Sequence, residues 1–147
     1  MAPTKTVKVQ VIRRLDLKPE PIYDAFLYPA KAGKFMFATP TGKMIKSEVQ
    51  PAVGGSFCFI DRRPNGDAEH YGVFTELVRP KRIAFKFAVQ KDAPSMDQVV
   101  IDITMRGGRS EIALTHEIDA KFASVKDKVA EGWTSILSGL TETLASS

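Results

Sequence analysis

The sequence predicts an α+β fold in which a curved antiparallel sheet of six or seven strands wraps around a long C-terminal helix. Three observations support this prediction. Stretches of alternating apolar and polar residues follow one another through the middle of the chain, as is typical of strands with one buried face. The last part of the chain carries apolar residues at steps of three and four, the spacing of a helix with one buried face. A glycine pair at residues 54–55 precedes an aromatic run and indicates a sharp bend in the sheet.

The first element is a strand, and two short helices follow it. Valine alternates with polar residues over residues 7–11, which predicts a strand with one buried face. Pro19 and Pro21 suit the first turn of a helix, where a missing backbone N–H costs no hydrogen bond. Pro29 interrupts this helix, so residues 30–37 are predicted to form a second short helix or a turn.

Six more strands are predicted, at residues 43–49, 55–61, 69–78, 82–89, 96–105 and 110–118. Proline and glycine mark the connections between them, at residues 51–55, 64–66, 80–81, 94–95 and 107–108. Strict alternation along these strands gives one apolar face, formed by Phe57, Phe59, Tyr71, Val73, Leu77, Ile83, Phe85, Phe87, Val99, Ile101, Ile103, Ile112, Leu114 and His116. The opposite face is mostly polar, and Phe74 is an exception on it. Antiparallel strands with helices gathered on one side make an α+β fold.

The last segment, residues 121–147, is predicted to form the longest helix. Asp119 or Ser124 is expected to cap its start. Gly132 and Gly139 lie on one margin of its apolar stripe, and each costs about 1 kcal/mol of helix stability relative to alanine. We therefore expect the helix to approach other backbone closely at both glycines. The stripe covers an arc of about 120° at roughly 100° per residue and consists of Phe122, Val125, Val129, Trp133, Ile136, Leu137, Leu140 and Leu144.

The composition limits the setting and the partners. The chain of 147 residues is 44% hydrophobic and 26% charged, as in an ordinary globular protein, and we expect one domain over residues 1–147. No apolar run approaches the roughly 20 residues that span a membrane, and no signal-peptide pattern opens the chain. Cys58 has no second cysteine with which to form a disulfide, which favours the cytoplasm. A net charge of +4 comes without a nucleic-acid-binding motif, so neither nucleic acid nor membrane is an expected partner.

The residues give little support to catalytic or metal chemistry. His70 and His116 are far apart in the chain and belong to no cluster with metal-ligand spacing. No motif pairs Cys58 with a base, and the glycine pair lacks the lysine and the helix of a phosphate-binding loop. We therefore expect no catalytic residue, no metal and no cofactor.

An interior binding cavity is better supported. Nine phenylalanines in a chain with one tryptophan indicate an aromatic-walled interior, and ligand pockets are typically apolar with a few polar groups. Alternatively, the same residues form a core that holds no ligand. If there is a cavity, its polar candidates are Tyr71, His116 and Asp61. The predicted ligand-binding residues are Phe26, Phe35, Phe37, Phe57, Phe59, Tyr71, Val73, Phe85, Phe87, Val99, Ile101, Leu114, His116, Trp133 and Leu137.

Four segments together resemble the START/Bet v 1-like (SRPBCC) superfamily: VQPAVGGSFCF, EHYGVFTELVRPKRIAFKF, SEIALTHEI and EGWTSILSGLTETL. The branch that the chain resembles is the C-terminal domain of the activator of heat-shock-protein-90 ATPase. The resemblance runs from Thr6 to Leu144 and implies a helix-grip fold with two short helices after strand 1. The family often has a tryptophan after the second helix, where this chain has Phe35 and Phe37.

The resemblance leaves three functions open. The first is a binding domain for a small apolar or aromatic molecule, without catalysis, acting as a monomer or weak dimer. The second is a protein-interaction module that binds a chaperone through its outer surface during the stress response. The third is a cyclase-like enzyme that uses His116 with Asp61 or Tyr71 as acid and base. Likeness of fold does not decide between them.

Overall fold

The computed structural model describes residues 5–91, 93 and 95–145, and this part of the chain confirms the predicted α+β fold. Seven antiparallel strands form one curved sheet: β1 (Thr6–Leu15), β2 (Lys43–Val49), β3 (Ser56–Arg63), β4 (Gly66–Val78), β5 (Arg82–Ala88), β6 (Asp97–Arg106) and β7 (Arg109–Asp119). The helices are α1 (Pro19–Leu27), α2 (Pro29–Phe35) and α3 (Lys126–Ala145), and a 3₁₀ turn at Ala120–Val125 precedes α3. Residue 94, in the predicted turn at 94–95, lies outside the described residues.

The strand order across the sheet is β1-β7-β6-β5-β4-β3-β2, so the first two strands form its opposite edges. The segment with α1 and α2 connects these two edges. Both short helices and α3 contribute side chains to the same buried cluster as the inner face of the sheet. The core therefore lies between the sheet and the helices, as expected when each element buries one apolar face.

The two short helices begin at prolines, as predicted. Pro19 starts α1 and Pro29 starts α2, where their missing N–H groups cost no helical hydrogen bond. Phe26 of α1 and Phe35 of α2 meet edge to face, with ring centroids 5.4 Å apart. This contact fixes the angle between the helices and fills the space beside α3.

The glycine pair forms the connection between β2 and β3 rather than a bend inside a strand. Gly54 has φ +85°, a left-handed conformation that favours glycine. A Cβ at Gly55 would overlap the carbonyl oxygen of Gln50. The pair also bonds to β4, because Gly54 N–H donates to the Phe74 carbonyl and Phe74 N–H donates to the Gly55 carbonyl, both at 2.9 Å.

Strand β4 departs from the predicted alternation. Tyr71 and Val73 were expected on the inner face but lie on the outer one, while His70 and Phe74 are buried. The pairing of β4 with β5 shifts register just after Phe74, and Leu77 packs against the core beyond this shift. A bulge of this kind inserts one residue and exchanges the two faces of a strand. Both the expected inner position of Tyr71 and Val73 and the expected outer position of Phe74 are therefore wrong.

The helix α3 begins later than predicted. Asp119 caps the 3₁₀ turn, where its carboxylate accepts a hydrogen bond of 3.0 Å from the backbone N–H of Lys121. Within this turn Phe122 and Val125 are 52% and 40% exposed, so the first two members of the predicted stripe are not buried. A 3₁₀ turn has three residues per turn and does not keep the spacing of an α-helical face. The buried stripe of α3 consists of Trp133, Ile136, Leu137, Leu140 and Leu144.

The two glycines of α3 differ in their surroundings. A Cβ at Gly139 would lie 3.0 Å from the Phe35 Cβ, so the predicted close approach is present there. A Cβ at Gly132 would have no heavy atom of the described chain within 4 Å outside its own helix and neighbours. The predicted close approach at Gly132 is therefore wrong, because the helix faces open space at that position.

Candidate ligand-binding site

A cavity of about 460 Å³ opens between the sheet and the N-terminal half of α3. Its size falls within the range of small-molecule pockets. The aromatic end is formed by Phe37, His70, Phe87 and Trp133. The outer part combines apolar side chains with three polar ones, and these residues are Val89, Phe122, Val125, Asp97, His116 and Lys128.

Three parallel rings build the aromatic end. The rings of His70 in β4 and Phe87 in β5 are nearly parallel, with centroids 6.2 Å apart and 8° between their planes. Phe37 covers both rings, with centroids 4.1 Å from His70 and 5.1 Å from Phe87. Trp133 meets Phe37 and Phe87 edge to face, at 5.6 Å and 6.2 Å. These contacts leave the rings little freedom to turn, so the end of the cavity is a fixed surface.

The backbone of Phe37 is held in a conformation that phenylalanine rarely adopts. Its φ is +60°, in the left-handed region that disfavours side chains with a Cβ. Such a conformation costs on the order of 1–3 kcal/mol and persists only where the surroundings hold it. The Arg63 guanidinium donates a hydrogen bond of 3.1 Å from Nη2 to the Phe37 carbonyl. Phe37 is thus fixed from both sides, by its ring stack and by its backbone.

The buried carboxylate of Asp61 anchors the segment after α2. Its Oδ2 accepts hydrogen bonds from Thr39 Oγ1 at 2.8 Å and from Arg63 Nε at 3.0 Å. A Cβ at Gly42 would overlap the same oxygen, so glycine is required where the chain passes. The sequence predicts Asp61 as a polar group facing a ligand, but in the structure its Oδ2 holds the segment that carries Phe37, and Asp61 does not line the cavity.

His116 lies in a hydrogen-bonded row with Trp133 and Asp97. The Trp133 indole Nε1–H donates to His116 Nδ1 at 2.9 Å. His116 Nε2 lies 2.9 Å from Asp97 Oδ2, and because Nδ1 accepts, Nε2 carries the proton and donates it. Burial lowers the pKa of His116 below its ordinary value, and the Asp97 carboxylate offsets part of this effect. Both ring nitrogens of the neutral imidazole are therefore occupied.

The acid and base pairs considered for an enzyme do not form. The hydrogen-bond partners of His116 are Asp97 and Trp133 rather than Asp61 or Tyr71. Tyr71 lies on the outer face, where its hydroxyl donates to the Glu69 carboxylate. This hydrogen bond is the main reason why the pKa of Tyr71 is raised to about 12. Tyr71 thus points away from the cavity, and His116 lines it with both ring nitrogens hydrogen-bonded.

His70 is the residue that the sequence reasoning missed. The strict alternation placed Tyr71 on the inner face, and the bulge in β4 puts His70 there instead. Its Nδ1 lies 3.2 Å from the carbonyl oxygen of Phe59, directly across the β3–β4 pair. Burial is the chief cause that lowers the pKa of His70, and the carbonyls of Phe59 and Ala68 offset part of the shift. The signal available in the sequence was a polar residue, His70, where the alternation of apolar and polar residues along the strand is interrupted.

The predicted site residues fall into three groups. Those that line the cavity are Phe37, Phe87, His116 and Trp133. Those in the buried core away from its walls are Phe26, Phe35, Phe57, Phe59, Phe85, Val99, Ile101, Leu114 and Leu137. Tyr71 and Val73 lie on the outer face, so their assignment to an interior site is wrong. The sequence thus located the aromatic layer but not which part of it stays open.

The described residues include neither a metal-binding cluster nor a membrane-spanning helix. No three His, Cys, Asp or Glu side chains in this part of the chain are grouped so as to hold a metal ion. None of its helices is long and apolar enough to cross a membrane. Cys58 is half-buried on the outer face of β3, and burial is the main cause that raises the pKa of its thiol.

A protein-family model matches most of the chain. The model described as Activator of Hsp90 ATPase homolog 1-like protein matches residues 16–145. No curated protein matches the chain.

Several solved structures share the fold. A protein from Rhodobacter sphaeroides has a TM-score of 0.81 and 19% identity, over 99% of this chain and 96% of its own. A protein from Nitrosomonas europaea has a TM-score of 0.80 and 16% identity, over 95% and 94% of the two chains. An AHSA1-like protein from Aeromonas hydrophila has a TM-score of 0.78 and 19% identity, over 95% and 93%. At these identities the likeness establishes the fold.

Proposed function

The chain belongs to the family of Activator of Hsp90 ATPase homolog 1-like proteins, and within it we propose that this protein binds a small apolar or aromatic molecule. The proposed site is the cavity between the sheet and the N-terminal half of α3. The observation that carries the proposal is the open space in front of Gly132, beside the aromatic end formed by Phe37, Phe87 and Trp133.

The chemistry of the walls defines what this cavity would hold. Its inner surface is aromatic, and transfer of apolar surface from water contributes about 25 cal/mol per Å². Two of its polar groups, His116 and Asp97, already form a hydrogen bond with each other. Their hydrogen bond therefore does not depend on a ligand. Binding would thus draw mainly on the shape and apolar area of the walls.

The proposal can be tested by blocking the cavity from its open side. Gly132→Leu places a side chain in this space, where its Cβ would have no heavy atom of a neighbour within 4 Å. Ser135→Leu adds the same side chain at an exposed position of α3 that does not line the cavity. We expect naphthalene to raise the melting temperature of the unmodified protein and of Ser135→Leu, but not that of Gly132→Leu. Stabilisation should follow RT ln(1 + [L]/Kd), about 2.7 kcal/mol at a hundredfold excess over Kd.

The result for the unmodified protein decides the proposal. If neither naphthalene nor decanoic acid shifts its melting temperature, the cavity does not act as a binding site. An equal shift in Gly132→Leu would place the binding somewhere else on the molecule.

A protein-binding role is the second candidate, favoured by the apolar rim of the cavity. Val89, Phe122 and Val125 are all exposed there, at 61%, 52% and 40%. The family description names activation of an Hsp90 ATPase, so a chaperone of this class is the partner to test. We expect this role to require the rim, so that Phe122→Ser abolishes any increase in ATP hydrolysis by Hsp90. Exposed Ile12, on the edge strand β1 and outside the cavity lining, offers the control Ile12→Ser.

A further inference from the structure

We propose that His70 selects the ligand: the cavity prefers an aromatic molecule bearing an O–H or N–H group, which donates a hydrogen bond to His70 Nε2. This inference rests on the proposed function and names the class of molecule that the same site would take. It gives a role to a buried polar residue that the helix–sheet packing does not itself require.

The protonation of the imidazole follows from its partner. Within the described residues, the ring hydrogen bond of His70 joins Nδ1 to the Phe59 carbonyl oxygen at 3.2 Å; the Ala68 carbonyl acts on the ring more weakly, and a carbonyl can only accept. The proton of the neutral ring therefore sits on Nδ1. Nε2 is left with a lone pair, and among the described residues no hydrogen-bond donor pairs with it.

The position of Nε2 directs this lone pair away from the sheet. In an imidazole, Nδ1 is near the Cβ and Nε2 is at the far end of the ring. Because Nδ1 of His70 bonds to the strand beside it, Nε2 extends toward the layer between sheet and helix, and the ring lines the cavity. Phe37 covers one face of the ring at 4.1 Å, so a ligand reaches the imidazole at its edge, where the lone pair lies.

Two other polar groups that line the cavity, the Trp133 and His116 side chains, are already paired, which leaves the Asp97 carboxylate as the other acceptor. The indole N–H of Trp133 bonds to His116 Nδ1, and the remaining His116 nitrogen bonds to Asp97. At the aromatic end of the cavity, a donor on the ligand would thus find its acceptor in His70. A ligand without a donor would leave this acceptor unpaired when it displaces water, which weakens binding.

The aromatic requirement follows from the rings around His70. Phe37, Phe87 and Trp133 border the same end of the cavity, and flat rings pack against such surfaces with favourable edge and face contacts. A phenol-like molecule meets both conditions, since its ring contacts these walls and its hydroxyl donates in the ring plane.

The test compares ligands that differ only in the donor. Binding of 2-naphthol, 2-methoxynaphthalene and naphthalene is measured by calorimetry at pH 7.5 on the whole chain. We expect 2-naphthol to bind about tenfold more tightly than 2-methoxynaphthalene. In His70→Phe, which keeps an aromatic ring beneath Phe37, this ratio should fall to about one, while naphthalene binding changes little.

A matched variant separates His70 from the other acceptor of the cavity. Asp97→Asn keeps an oxygen for His116 Nε2–H but removes the carboxylate charge, and it should retain the tenfold preference. If Asp97→Asn loses the preference and His70→Phe keeps it, the selecting residue is Asp97 and the inference is overturned. If the three naphthalenes bind equally, His70 does not select, although the proposed function stands. Binding of none of them rejects both.

A measurement on the unmodified protein covers the case in which His70→Phe does not fold. The ¹⁵N resonance of His70 Nε2 should move on addition of 2-naphthol and stay in place with 2-methoxynaphthalene. An unchanged resonance with bound 2-naphthol contradicts the proposal.

Discussion

The two halves of α3 face the same sheet but meet different surroundings. In the C-terminal half, Leu137 and Leu140 are completely buried, and Gly139 lies against Phe35 of α2. In the N-terminal half, Gly132 faces open space and Val129 is only partly buried. Both halves carry the same apolar spacing, so the spacing alone does not determine whether a helix face is packed or lines a cavity.

The difference comes from the short helices. The rings of Phe26 and Phe35 supply the side chains that fill the gap beside the C-terminal half of α3. The N-terminal half instead faces the Phe37, His70 and Phe87 rings across a space of about 460 Å³. A strongly curved sheet and a straight helix diverge along their length, and a third element closes the gap at one end.

The largest expected effect is the loss of packing in the closed half. Leu140→Ala should lower the free energy of unfolding by about 2–5 kcal/mol, because it opens a void in a completely buried site. Val125→Ala, at an exposed position beside the cavity mouth, should change it by less than about 0.5 kcal/mol. Urea denaturation measures both values. Similar costs for the two variants would contradict the contrast between the halves.

A smaller loss of stability is expected in the N-terminal half of α3, where Trp133 bonds to the sheet through His116. Trp133→Phe removes the donor to His116 Nδ1 and should cost about 1–3 kcal/mol, because a buried acceptor loses its partner. It should also raise the pKa of His116, since the indole N–H favours the neutral ring. An NMR titration reads this pKa, and His70 serves as the internal control because it has no hydrogen bond to Trp133. An unaltered His116 titration would show that the indole bond is absent in solution.

The two glycines of α3, Gly132 and Gly139, provide a finer test. Gly132→Ala should raise the free energy of unfolding by about 1 kcal/mol, since alanine favours the helix and its methyl group meets open space. At Gly139 the new methyl group would lie 3.0 Å from the Phe35 Cβ, so Gly139→Ala should give no such gain. Thermal unfolding of both variants measures the difference. Equal stabilisation would mean that α3 is not closely packed at Gly139.

Near pH 6 the pH dependence of stability reports on the two histidines of the cavity walls. The pKa values of His70 and His116 are lowered in the folded protein, chiefly by burial, while an unfolded chain keeps them near 6.5. The unfolded state therefore takes up protons first as the pH falls. We expect full stability from these residues above about pH 6.5 and a falling melting temperature below it. In His70→Phe the fall should be shallower, and an identical profile would mean that His70 is not buried in solution.

The sequence predicted the elements of this fold well, for identifiable reasons. Alternating valines, prolines at helix starts and the apolar spacing around Leu140 are local patterns, and each depends on residues close together in the chain. The inner position of His70 was missed because one inserted residue after Phe74 exchanges the faces of β4, and this insertion shows only in the pairing with β5. The openness at Gly132 was missed because it depends on where α1 and α2 end in space.

The pairing of β1 with β7 has a consequence for the time course of folding. Thr6 lies opposite Asp119, roughly 110 residues further along the chain, and Ala120 N–H bonds to the Lys5 carbonyl. Each hairpin from β3 to β7 joins neighbours in the chain, whereas this edge joins its most distant parts. Closing so large a loop costs entropy before any contact repays it, and a high contact order slows folding. We therefore expect β1 to join the sheet late in folding.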